Sequence, residues 1–335
     1  MKLESLQLTR ALQMLLRTTP LLLIRLGAVI AFWVAALIYL AVVGGVAFLV
    51  GQAVEAVGII LFIVALVAMI PLYNLAYRYV FFMLKAAHLA VLSEILINGD
   101  LPAGVNQLEW GRQRVQERFG EVNVMFVVDE LVNGVVRAFT GTVYTLTAWL
   151  PGDTLRTLVQ IVNRIIRYAM SYIDEAVLSR SFVQKEQNVW ANARDGVTLY
   201  AMVWKPLLMN AIALMILSYI PFIVVLIVFS APVGLIVSAI SQPLAGWTII
   251  FTLILSFLVK VAVGDSFAMA AMIAAYHHET AGLTPNAEMT ARLDGISDKF
   301  RELTRRAQEE VGRFTQPPAS GSDMPPVQPG GDPGR

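Results

Sequence analysis

Only three places in this chain gather side chains equipped for chemistry. His277-His278-Glu279 is the one local run of metal-capable groups, and His88 is the remaining histidine. Neighbours on a helix project about 100° apart, so these three cannot meet one ion from a helix. They read as histidines on an exposed inner face. Asp174-Glu175 could work as a paired-carboxylate site. Its flanking arginines, Arg167 and Arg180, miss the i,i+4 spacing that would pair them, so it reads as a solvated charged face. Asp265 closes a long apolar run. Lys260 stands five residues before it, about 140° round a helix, which is poorly placed for an intrahelical pair. An ionisable group at a membrane edge is a candidate for permeation or proton transfer.

The sequence contains no P-loop, GxGxxG, G-x-S-x-G or HExxH, and no cysteine. Disulfides, thiolate metal sites and cysteine nucleophiles are excluded, and the common motif-based enzyme classes fail. No cofactor and no catalytic or metal site is expected, and a lipid-modifying enzyme is a distant third possibility. A net charge of +1 gives no global attraction to nucleic acid.

The elements that must position these groups are membrane helices. Of 335 residues, 57% are hydrophobic and 15% charged, against roughly 25% charged in soluble domains. Pro206 to Val259 runs without an Asp, Glu, Lys, Arg or His, long enough for two crossings at about 20 residues each. Leu26 to Val54 is also uncharged, longer than a signal-peptide core, and a second span follows at once. Four spans in two hairpins are expected, in an all-α multi-pass membrane protein. Residues 1–25 form an amphipathic N-terminal helix, 26–77 the first hairpin, 78–205 a helical cytoplasmic domain and 206–262 the second hairpin. Residues 263–314 are cytoplasmic helices and 315–335, rich in Pro, Gly and Ser, a disordered tail.

Within that frame, Leu8, Leu12, Leu15 and Leu16 mark a short amphipathic helix. Gly27, Ala31 and Ala35 form a small-residue stripe against which a neighbouring helix could pack. Gly51 to Gly58 is a turn, Pro71 and Pro221 are kinks, and Ser230 to Gly246 is a connecting loop that dips into the interface. Apolar residues from Val124 to Leu150 form one stripe, which suits a helix of the inner domain or of the interface, with a further span as the alternative because 20 residues from Leu131 hold only Arg137 as a charge. A break is expected at Gly196, and Thr284-Pro285 starts a single amphipathic tail helix. Pro20-Leu-Leu and Pro206-Leu-Leu enter the two hairpins alike, a faint sign of an internal repeat.

Basic residues near the span ends, Arg10, Arg17, Arg25, Arg78, Lys85, Arg194, Lys205 and Lys260, all fall on one side. The positive-inside rule then places both termini in the cytoplasm of a plasma or bacterial inner membrane. The spans carry little polar chemistry, which argues against an ion-coupled carrier. An oligomeric channel or passive conduit is the first expectation, with Glu55, Asn74, Asn210 and Asp265 as the candidate polar lining. The alternative is a membrane-anchored scaffold that recruits a cytoplasmic partner. Its candidate seams are Leu155, Leu158, Val162, Ile165 and Ala169, and Leu293, Ile296, Phe300 and Leu303, whose heptad-like spacing suits helix–helix contact or a homo-oligomer. Membrane lipids are expected partners in both.

Overall fold

The structure, a computed structural model, describes residues 3–120, 122–145, 153–185, 187–240 and 242–315, and no strand occurs among them. In chain order the helices are α1 (Leu8–Arg17), α2 (Thr19–Ala53), α3 (Glu55–Ala76), α4 (Phe82–Asn98), α5 (Gln107–Phe119), α6 (Val122–Thr145) and α7 (Asp153–Val183). They continue as α8 (Val189–Met202), α9 (Trp204–Leu217), α10 (Ile220–Ile240), α11 (Thr248–Val259), α12 (Asp265–Glu279), α13 (Ala287–Ile296) and α14 (Asp298–Thr315). Two five-residue π-helical turns join helices end to end: Tyr77–Phe81 between α3 and α4, and Lys260–Gly264 between α11 and α12.

Four rods are long and apolar enough to cross a membrane: Thr19–Ala53, Glu55–Asn98, Trp204–Ile240 and Ala245–Glu279. Each has at least 35 residues, or about 50 Å at 1.5 Å per residue, against a hydrocarbon core of about 30 Å. The surplus at one end enters a helical domain. α2 packs on α3, and α10 on α11. The two pairs approach each other chiefly through α2 against α11 and its π-turn. Most of their large side chains, such as Leu37, Ile63, Ile227 and Ile249, remain exposed on the rods, as surfaces facing hydrocarbon do.

The domain has one continuous core. α7 lies at its centre, in contact with α4, α6, α8, α9 and α12. Residues 172–179 of α7 are buried in every direction. Arg118 closes the far end of α7: its guanidinium donates to the carbonyls of Ser181, Gln184, Lys185 and Gln187 at 2.7–3.1 Å, serving the oxygens a helix terminus leaves without partners.

Several local expectations change. α10 stays helical through Pro232 to Ile240, so the connector is only the turn around Gln242–Trp247. Pro221 opens α10 instead of kinking a span, because a ring with no N–H suits a first helical turn. The break falls just before it, at Ser218 and Tyr219. Val54 alone separates α2 from α3. Gly196 lies inside an unbroken α8, where a Cβ would sit 2.9 Å from Val177 Cγ1 and where its carbonyl accepts from Tyr276 Oη at 3.0 Å. It is a packing glycine. The tail is two helices, since Ser297 is extended between α13 and α14, and Asn286 rather than Thr284 caps α13.

The small-residue stripe also moves. Gly27, Ala31 and Ala35 are exposed, while α2 meets α3 through Ala47, Gly51, Gly58 and Ala65. The order of elements repeats. A short helix, a Pro-opened span, a second span, a π-turn and a buried helix occur as α1 to α4. They recur as α8 to α12, with the first span of the second set broken into α9 and α10.

Candidate functional site

Arg25, Lys85, Lys260 and Asp265 of the four rods come together with charged residues of α6 and α7 where the rods enter the domain. Lys260 has no exposed side-chain surface. Its ammonium donates to Asp265 Oδ1 and to Tyr168 Oη, each at 2.6 Å, and lies 4.7 and 4.8 Å from the ring centroids of Tyr168 and Tyr219. Tyr172 Oη donates to the same Asp265 oxygen at 2.6 Å. The carboxylate and two ring faces replace the hydration the ammonium has lost. The expectation that five-residue spacing keeps Lys260 from Asp265 is thus overturned. Between them the backbone makes a π-turn, which adds a residue to the helical turn and closes the angle that a regular α-helix would leave.

The second group centres on Lys85 at the start of α4. Its ammonium pairs with Glu175 Oε1 at 2.8 Å. Asp174 is 2% and Glu175 8% exposed, so the solvated face expected here is instead a buried acidic pair. Asn133 of α6 donates to Asp174 Oδ2, and Asp129 of the same helix acts electrostatically on both acids. Burial pushes the Asp174 carboxyl well above the usual range, with the Asp129 charge adding to it and Lys85 opposing. Asp129 and Glu175 are raised as well, again by burial first and against Lys85. Three neighbouring carboxyls with one ammonium among them cannot all ionise without cost, and each is held above its ordinary range.

Arg25 of α2 joins the two groups. One guanidinium nitrogen, Nη1, donates to Ser266 Oγ of α12 at 2.8 Å and to His88 Nδ1 of α4 at 2.9 Å. Because the guanidinium can only donate, His88 Nδ1 accepts. Its Nε2 then carries the proton and donates to Thr18 Oγ1 at 3.0 Å. Arg25 also feels the charges of Glu175 and Asp265. His88 is fully buried, and His277 is half-buried with its Nε2 2.8 Å from Ser179 Oγ. The exposed histidine face therefore reduces to His278. Among the described residues no three His, Asp or Glu side chains are placed to hold a metal ion.

Beside this network lies a crevice of about 180 Å³ between the two pairs of rods. Phe32 and Trp33 of α2, Tyr73 of α3, and Tyr77 and Phe81 of the first π-turn wall it on one side, and Phe257, Leu258 and Val261 from α11 and its π-turn on the other. Arg25 and Lys85 line it together. It therefore combines aromatic walls with two cations whose other neighbours are the carboxylate cluster and His88.

The four candidate lining residues occupy separate places. Asp265 is in the network. Asn210 is buried in α9 and exchanges hydrogen bonds with Ser5, at 3.0 Å from its amide to the carbonyl and 3.1 Å from the hydroxyl to Oδ1. Asn74 is exposed on α3, and Glu55 is exposed at the opposite end of the rods, beside Gln52 and Phe62. Of the seams, Ala169, Leu293, Phe300 and Leu303 are fully buried inside the chain and Ile165 and Ile296 half-buried. The side chains of Leu155, Leu158 and Val162 lie outside the described residues. Lys205 is exposed, its ammonium 5.7 Å from the ring of Trp204.

Sequence reasoning missed Arg25, Lys85 and His88 as members of a site, and Asp174 and Glu175 as buried groups. One signal was available for the acids: Tyr168 to Ser179 contains no other charge and is otherwise small or apolar, the composition of a helix buried all round. Comparison of the chain with protein-family models, with curated proteins and with solved structures finds no match.

Proposed function

We propose that this chain is a membrane-embedded protein that draws an amphiphile from the bilayer into the crevice between its two helix pairs. This narrows the passive-conduit reading to an apolar-tailed ligand. The observation that carries it is the crevice itself, with aromatic walls toward the rods and Arg25 and Lys85 toward the domain. At about 180 Å³ it is smaller than the roughly 300–1,000 Å³ of a pocket that engulfs a whole small molecule. It suits a headgroup region and the first carbons of a chain, while the rest of the chain lies along the exposed rods. An aqueous pore gains less support, because Glu55, Asn74, Asn210 and Asp265 do not share a face within one chain. The bias of Arg and Lys toward the domain end supports a cytoplasmic domain, which puts the crevice at the inner leaflet.

Brominated-chain lipids test the reading, since bromine quenches tryptophan on contact and Trp33 lines the crevice. The signal of Trp33 is obtained as the difference between the protein and its Trp33→Phe variant in nanodiscs. We expect quenching that saturates at a low fraction of brominated lipid. Quenching that rises in proportion to that fraction, as for lipid in a non-selective shell, would refute it.

A further inference from the structure

We propose that the amphiphile is anionic, and that its headgroup takes Lys85 from Glu175 so that binding is accompanied by proton uptake onto the Asp129, Asp174 and Glu175 cluster. The inference rests on the crevice reading and deepens it. Lys85 both lines the crevice and forms an ion pair with the cluster. Its ammonium is 2.8 Å from Glu175, and no carboxylate is among the residues lining the crevice. Arg25 presents a second cation there, with its Nη1 committed to His88 and Ser266. An apolar-walled recess with two cations and no anion selects a negative headgroup over a zwitterionic or neutral one.

The proton follows from charge. With the crevice empty, Lys85 offsets part of the charge of three carboxyls, and Arg25 contributes to Glu175 from α2. The groups facing Glu175 are Lys85 on α4, Arg25 on α2, Tyr77 in the first π-turn, Asp129 on α6 and Asp174 on α7. Asn133 holds Asp174 and Glu130 acts on Asp129. An anion that turns the Lys85 ammonium toward the crevice leaves the acids facing one another with less compensation. A proton from the cytoplasmic water then neutralises one carboxylate as the ligand's negative charge enters. Net charge in the buried region is unchanged, and no bond other than O–H is made.

The test uses the full-length protein in nanodiscs with the Trp33 quenching signal. The probes are brominated phosphatidylglycerol, which holds one negative charge across the range, and brominated phosphatidylcholine. We expect phosphatidylglycerol to be preferred about tenfold, and its affinity to rise by up to about tenfold for each unit of falling pH between about pH 8 and 5.5, the limit for one linked proton. Glu175→Gln should flatten that slope while keeping the preference. Lys85→Met/Glu175→Gln, which leaves neither partner buried alone, should lose the preference and keep saturable binding. Equal, saturable binding of the two lipids would overturn the anionic class and leave the crevice reading standing. A preference with no pH slope in the unaltered protein would overturn the proton uptake. The absence of saturation with either lipid would overturn the crevice reading itself.

Discussion

Lys260 and Asp174 meet opposite solutions to the same problem. Burying a charge costs several kcal/mol unless a partner offsets it. Lys260 is met at 2.6 Å by Asp265 and Tyr168 and faced by two rings. Asp174 accepts from the Asn133 amide and the backbone N–H of Glu175, with Asp129 and Glu175 as anionic neighbours that the Lys85 charge only partly opposes. Its carboxyl is therefore raised, and the sign of its pH effect follows. A folded-state value above the unfolded one means the native chain binds that proton more tightly, so stability is greatest while the acid is protonated. It falls as pH rises from the ordinary Asp range through the raised value. Asp174→Asn keeps an acceptor for Asn133 and removes the titration. We expect this variant to be more stable than the unaltered protein above neutral pH by about 1 kcal/mol or more, and to converge with it near pH 4. Denaturation in detergent across that range checks it. A variant less stable at every pH would contradict the account of Asp174.

At the scale of elements, the spans were legible because nothing but length and apolarity is needed to recognise them. The short helix α1, marked by Leu8, Leu12, Leu15 and Leu16, also follows from periodicity. The π-turns did not follow. Nothing in Lys260-Val-Ala-Val-Gly264 marks a π-turn in sequence, because its cause is tertiary. Gly264 lies so close to the end of α9 that a Cβ there would clash with the Ser218 carbonyl oxygen, and the same turn aims Lys260 at Asp265. Gly27, by contrast, has nothing within 4 Å of where its Cβ would be. Gly264→Leu should therefore destabilise the protein by at least about 1–3 kcal/mol, through overpacking against main chain that cannot yield. Gly27→Leu should change stability by less than about 0.5 kcal/mol. Thermal unfolding in one detergent compares them, and equal effects would show that the contact at Ser218 does not hold the second pair of rods in place. The same logic explains the tail. Its apolar repeat is real, but the partner of Leu293, Phe300 and Leu303 is α6 and α8 of the same chain, a choice that periodicity alone cannot make.

Taken whole, the described residues gather Lys85, Asp174, Glu175, Lys260 and Asp265 where rods that carry little charge enter a domain whose centre is α7. Sequence order separates Arg25, Lys85, Asp129, Glu175 and Asp265 by long intervals, so only the repeated entry of two helix pairs into one domain brings them together. The crevice exists for the same reason: it is the gap left where the two pairs of rods approach each other at the domain. The central claim is that this gap holds a membrane amphiphile, and retention of lipid by the purified protein tests it most directly. Native mass spectrometry should find one lipid bound per chain after detergent extraction. Val29→Trp, which fills the crevice from α2, should abolish the adduct, while Ile38→Trp on an exposed part of the same helix should leave it intact. Equal retention in all three proteins, with unfolding temperatures unchanged, would contradict the claim.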